Sequence, residues 1–94
     1  MFSIAVNDEG IVVVTGRFDA SQTDRAREVF AGLTGSTVVD FKDLDYISSA
    51  GLGVLLATQQ RLKKEGKALK LVRMNRMVRD VFKIARFDLI FEIE

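Results

Sequence analysis

Ser48 and Ser49 stand side by side in Ile47-Ser48-Ser49-Ala50-Gly51-Leu52, ahead of the apolar run Val54-Leu55-Leu56. Hydroxyl side chains directly before such a run mark a helix start. Helix N-termini leave N–H groups unpaired and carry about half a positive charge. A hydroxyl there can cap the helix, and a phosphate attached there would be stabilised. Gly51 and Gly53 remove side chains from the first turn, so another backbone could approach closely. Each costs about 1 kcal/mol of helix propensity, so something other than helix stability is expected to select them.

The other reactive side chains narrow the chemistry. The chain has no cysteine and no histidine. That removes disulfides, thiolate zinc sites, cysteine catalysis and any Ser-His-Asp triad. No enzyme activity and no cofactor are expected. Asp40, Asp43 and Asp45, with Asp19 nearby, have the oxygens a divalent cation needs but match no EF-hand spacing. They read as polar loop residues, and no metal site is expected. Gly51-Leu52-Gly53 begins like a dinucleotide fingerprint but has Leu56 where the third glycine belongs, and no P-loop occurs. Arg76, Arg79, Lys83 and Arg86 fall on one helix face. They read first as solvated surface, and otherwise as a contact for an acidic protein or phospholipid.

Net charge is +1, so no bulk field draws in nucleic acid. No apolar run approaches the roughly 20 residues that cross a bilayer, and the N-terminus lacks a signal-peptide pattern. The expectation is a cytoplasmic protein without membrane insertion or nucleic-acid binding. With 94 residues, 48% hydrophobic and 29% charged, the chain reads as one globular domain over 1–94.

The elements that would position the serines follow from periodicity. Phe2–Val6 alternates as a strand, Asn7–Gly10 reads as a turn, and Ile11–Thr15 is a β-branched strand suited to burial on both faces. Ser21–Asp24 resembles a capping box before a helix whose stripe is Ala26, Val29, Phe30 and Leu33. Thr37–Phe41 is a third strand, and an acidic loop leads from it to Ser48. The second helix ends near Gly66, Ala68–Val72 is a fourth strand, Asn75 caps a helix to about Ala85, and Leu89–Ile93 is a last strand. The order β-β-α-β-α-β-α-β predicts an α/β fold with a mixed, largely parallel sheet of about five strands. Functional loops gather at the carboxyl ends of such strands, which places the Asp19 loop beside Ser49.

Gly16-Arg17-Phe18-Asp19, Val38-Val39-Asp40-Phe41 and Ile47–Leu55 together resemble the STAS domain. More narrowly, the chain is similar to stand-alone bacterial anti-sigma factor antagonists along essentially its whole length. The resemblance implies a STAS-like fold and a phosphoacceptor at Ser49, anchored by Gly51-Leu52. Ser48 stands where aspartate is frequent, Ala50 where a second hydroxyl is frequent, and Asp19 matches the loop aspartate beside the acceptor. It implies partner contact through Asp19, Ser48, Ala50, Gly51 and Leu52. The implied partners are an anti-sigma factor/serine kinase of the histidine-kinase-like ATPase type and a metal-dependent PPM-type serine phosphatase. The alternative it implies is an accessory subunit of a phospholipid-transport ABC system, docked on the ATPase without a phospho-switch.

Overall fold

The computed structural model describes residues 1–94. The strands are β1 (Phe2–Val6), β2 (Val12–Phe18), β3 (Thr37–Asp40), β4 (Leu44–Ile47), β5 (Leu69–Val72) and β6 (Glu92–Ile93). The helices are α1 (Thr23–Ala31), α2 (Ser49–Lys63) and α3 (Arg76–Ile84), with 3₁₀ turns at Ala20–Gln22 and Phe87–Leu89. The sheet runs β1-β2-β3-β5-β6, with β4 also paired to β2. Only the β1–β2 hairpin is antiparallel; all other pairings are parallel. The mixed α/β architecture is as the sequence predicts, with one strand more.

That strand is β4, which occupies most of the expected acidic loop. Leu44 and Ile47 are buried while Asp45 is exposed. Aspartates at Asp43 and Asp45 depress strand propensity, but pairing with β2 overrides it. β2 correspondingly runs through Gly16-Arg17-Phe18, where the sequence predicts the chain to leave the strand. A bulge between Gly16 and Arg17 separates the pairs Gly16↔Leu44 and Arg17↔Tyr46. Gly16 takes φ +85°, and a Cβ there would sit 1.6 Å from the Met1 carbonyl oxygen. Only glycine fits.

Burial on both faces of β2 is also corrected. Ile4, Val12, Val14, Val39, Leu69 and Leu71 share one cluster with Ala26 and Phe30 of α1, Leu52, Leu55 and Leu62 of α2, and Val78 and Phe82 of α3. Of the alternate positions, Ser3, Ala5 and Glu92 are exposed, and Val38, Lys70 and Val72 are half-buried. Polar pairs line this second face: Ser3–Thr15 at 2.6 Å, and Lys70 with Glu94 at 2.7 Å and Glu92 at 3.6 Å. Val13 and Thr15 are half-buried there, so the β-branched run reflects strand propensity more than two-sided burial.

Caps set the helix ends. Asn75 caps α3 by accepting from the Val78 N–H at 2.8 Å, and its amide donates to the Leu44 carbonyl at 2.9 Å, tying α3 to β4. The capping box at Ser21–Asp24 does not form. Gln22 precedes α1 without a side-chain cap, and Asp19 caps the preceding 3₁₀ turn instead. The last strand shortens to two residues because Phe87–Leu89 turns.

One ion pair braces the carboxyl end of the sheet. Asp40 is 8% exposed, and Arg73 grips both its oxygens, with Nε to Oδ1 at 3.1 Å. The Lys42 N–H donates to Oδ1 at 3.0 Å. Arg73 reaches this position from φ +61°, a conformation costing a non-glycine residue about 1–2 kcal/mol. The Arg73 guanidinium holds the Asp40 carboxyl below its usual range. A depressed carboxyl contributes stability above the unfolded value of about 3.9 and loses it as pH falls through the folded value. Asp40→Asn is therefore expected to cost about 1–3 kcal/mol at pH 7. In urea melts, its gap from wild type should narrow below about pH 4.

Candidate functional site

The serine junction is built where β2 and β4 end together. Phe18 pairs with Ile47, and the Ser48 N–H donates to the Phe18 carbonyl at 2.9 Å. Asp19 and Ser48 therefore leave neighbouring strand ends, as the carboxyl-end rule placed them. Ser48 is extended (φ −90°, ψ 170°), and its hydroxyl accepts from the Gly51 N–H at 3.1 Å. That bond makes Ser48 the N-cap and leaves Ser49 as the first helical residue.

Ser49 and Ala50 are exposed, and the Ser49 hydroxyl makes no hydrogen bond within the chain. The oxygen thus sits free on the first turn of a 15-residue helix. Asp19 accepts from the Ser21 hydroxyl at 2.6 Å and the Ser21 N–H at 3.0 Å. These bonds hold its carboxyl below the usual range, the hydroxyl contributing most. Asp19 stays ionised at neutral pH and presents fixed negative charge on the loop beside α2.

The two glycines differ. Gly51 faces inward: a Cβ would lie 2.9 Å from Ile47 Cγ1 and 3.1 Å from the Phe18 carbonyl oxygen. It permits close packing of this chain's own strands, so direct side-on contact with a partner is withdrawn for Gly51. Leu52 is likewise buried, at 6% exposure. Gly53 is exposed, and a Cβ added to it would meet nothing within 4 Å, so it alone leaves room outside. Gly51→Ala should destabilise by about 1–3 kcal/mol. Gly53→Ala should stabilise by about 1 kcal/mol, read as a rise of about 4–8 °C in thermal midpoint.

The acidic cluster disperses. No three carboxylates converge as a metal-binding group, and Asp40 is committed to Arg73 and Lys42. On α3, Val78 and Phe82 are fully buried and Arg76, Arg79 and Lys83 are exposed without ion pairs, as the spacing predicts; Arg86 is exposed and unpaired but does not continue that face. Arg86 lies beyond the helix with φ +63°. No helix is long and apolar enough to cross a membrane. Sequence reasoning passed over Tyr46, whose ring lies 4.3 Å beneath the Arg17 guanidinium. The apolar-polar alternation Leu44-Asp45-Tyr46 was the available signal.

The site is thus a free hydroxyl on an exposed helix start, at the edge of a sheet whose helices cover one face. The chain belongs to the STAS domain family: the family model described as "Mlab, STAS domain" matches residues 4–92. Anti-sigma factor antagonist BtrV of Bordetella bronchiseptica is 43% identical over 56 residues, which is 60% of this chain and 48% of that protein. The match spans about half the length of that curated relative. The crystal structure of an anti-sigma factor antagonist from Thermotoga maritima aligns at TM-score 0.78 and 18% identity, covering 98% of this chain and 84% of that one. SpoIIAA in its unphosphorylated form aligns at 0.71 and 18%, covering 100% and 87%. Its phosphorylated form, from Bacillus, aligns at 0.71 and 18%, covering 100% and 91%. At these identities the structural likeness shows the fold.

Proposed function

We propose that this chain is an anti-sigma factor antagonist switched by phosphorylation at Ser49. Unmodified, it binds an anti-sigma factor/serine kinase of the histidine-kinase-like ATPase type and thereby frees a sigma factor. Phosphate on Ser49 ends binding, and a PPM-type serine phosphatase restores it. The chain performs no catalysis in this cycle. The observation that carries the reading is the Ser49 hydroxyl, exposed and unbonded on the first turn of α2. The description of BtrV as an anti-sigma factor antagonist, and of SpoIIAA in phosphorylated and unphosphorylated forms, supports it. Incubation with the kinase and ATP followed by peptide mass spectrometry is expected to place one phosphate on Ser49. Phosphate elsewhere, or none, would refute the switch.

The second reading is the ABC-system accessory subunit. The three unpaired cations of α3, with Arg86 just after it, and Ala50 in place of a second hydroxyl favour it. Copurification with an ABC ATPase, with Ser49 unmodified, would select this alternative.

A further inference from the structure

β1 ends the sheet, and no strand lies beyond it. The Arg17 N–H donates to the Met1 carbonyl at 3.2 Å, and the Asn7 N–H to the Ile11 carbonyl at 2.9 Å. These bonds fix the direction of the ladder. Met1, Ser3, Ala5 and Asn7 bond to β2, so the N–H and C=O groups of Phe2, Ile4 and Val6 point outward. Such a row of groups templates another strand unless something guards it. The other open margins are guarded: β6 has two residues, one of them Glu92, and β4 carries Asp45. β1 runs Phe2-Ser3-Ile4-Ala5-Val6, without charge, proline or bulge.

The edge is complementary to itself. A second β1 turned antiparallel about Ile4 sets Ile4 against Ile4 and Phe2 against Val6, and each of these pairs exchanges both its N–H···O bonds. Phe2, Ile4 and Val6 share the core side of the strand, so apolar meets apolar. Val6, 48% exposed, then covers the half-buried Phe2, whose ring lies 5.2 Å from that of Phe18. Ser3 and Ala5, small and exposed on the other side, come opposite each other. A slip of two residues toward the turn would instead put Asp8 against Phe2. Charge also selects the direction. Parallel pairing would set two turns side by side, each with Asp8 and Glu9. Antiparallel pairing sends each turn to the far end, where Arg17 and Asp19 offset each other. On α1, Arg27 and Ala31 face α2, and the opposite flank carries Arg25 and Glu28, one of each sign and paired at 4.0 Å.

We propose that a second copy of this chain adds its β1 across this edge in antiparallel register, Ile4 against Ile4, joining two sheets into one about a two-fold axis. β2 separates the edge from β4, so the Ser49 start of α2 stays outside the strand pairing. Dimerisation here needs no modification of Ser49 and none of the partners of the switch. Each dimer carries two such helix starts.

The test combines sedimentation equilibrium with disulfide trapping of the register. The apparent mass of the wild type should rise with concentration from 10.5 kDa toward twice that value. Val6→Pro removes an outward N–H and keeps the bonds to β2. It should weaken association at least about 10-fold, with the thermal midpoint within about 4 °C of wild type. The chain has no cysteine, so introduced thiols report the register alone. Ser3 faces Ala5 of the second copy at a Cα separation of about 4.5 Å, within disulfide range. Ser3 and its own counterpart stand more than about 7 Å apart, beyond that range. Mixed Ser3→Cys and Ala5→Cys proteins should therefore form the mixed disulfide at least about 10-fold faster than either variant forms its own. If Val6→Pro lowers the midpoint further, the disulfide rates decide. A wild type that stays monomeric up to about 100 μM would overturn the proposal and leave the edge to an extended segment of another protein. A dimer that a folded Val6→Pro leaves intact, or disulfides that form equally fast in the single-variant samples, would overturn it as well.

Discussion

Ser49→Glu is expected to weaken binding to the anti-sigma kinase by at least about 100-fold, or roughly 2.7 kcal/mol, with the thermal midpoint unchanged or slightly raised. Ser49→Ala should bind within a few-fold of wild type and accept no phosphate. The fold tolerates charge here because the first helical position faces solvent and the α2 dipole favours an anion by about 0.3–1 kcal/mol. The proposed interface would not tolerate it. Burying an ionised group without a partner costs several kcal/mol, and ionised Asp19 on the adjoining loop adds like charge. A phosphate, carrying about −1.5 to −2 charges, should act more strongly than the single charge of glutamate. Calorimetry of both variants and of the phosphorylated protein measures this ordering. Wild-type affinity in Ser49→Glu would refute it.

Phe82→Ala is expected to cost about 3–5 kcal/mol, a large share of the roughly 5–14 kcal/mol available to a domain of this size. Phe82 is fully buried at the centre of an aromatic cluster. Its ring centroid lies 6.2 Å from Phe41 and Phe87 and 6.1 Å from Phe91, with the last two contacts edge-on. Truncation leaves a cavity beneath α3 and removes the anchor of the segment leading to β6. Urea denaturation should show the loss, and the thermal midpoint should fall by more than about 12 °C. A cost under about 1 kcal/mol would mean that neighbouring rings collapse into the space.

Features written in local sequence were legible: the Ser48 and Asn75 caps, the α1 stripe at Ala26, Phe30 and Leu33, and the inward positions Val78 and Phe82. The features that escaped depend on residues far away in the chain. β4 exists because β2 pairs with it. The inward aim of Gly51 depends on Phe18, and Asp40 finds Arg73 only after β3 and β5 align. Gln59 is the clearest case. It is a polar residue in the helix that runs on from Val54-Leu55-Leu56, with nothing in its local sequence to mark it as buried. In the structure it is 2% exposed, accepting from the Leu69 N–H at 2.8 Å and donating to the Ile90 carbonyl at 3.1 Å. Periodicity cannot report a side chain buried to satisfy backbone from two other elements. At the site, the serines were readable as helix-start chemistry, whereas the apolar groove beside them, between α2 and α3, required α3 to be placed.

β2 is the strand through which the others meet: β1 lies along one edge, and β3 and then β4 share the other. The hairpin joins near neighbours such as Val6 and Val12, but Gly16 must find Leu44, and Thr37 must find Leu69, across long stretches of chain. Hairpins close within microseconds, while distant parallel pairings wait on loop closure and assemble slowly. The setting of the Ser49 hydroxyl depends on one such distant pairing, that of β2 with β4. Under the proposed switch, a half-assembled chain would offer neither an ordered substrate to a kinase nor a formed surface to a partner, so phosphorylation would report completed folding as well as chemical state.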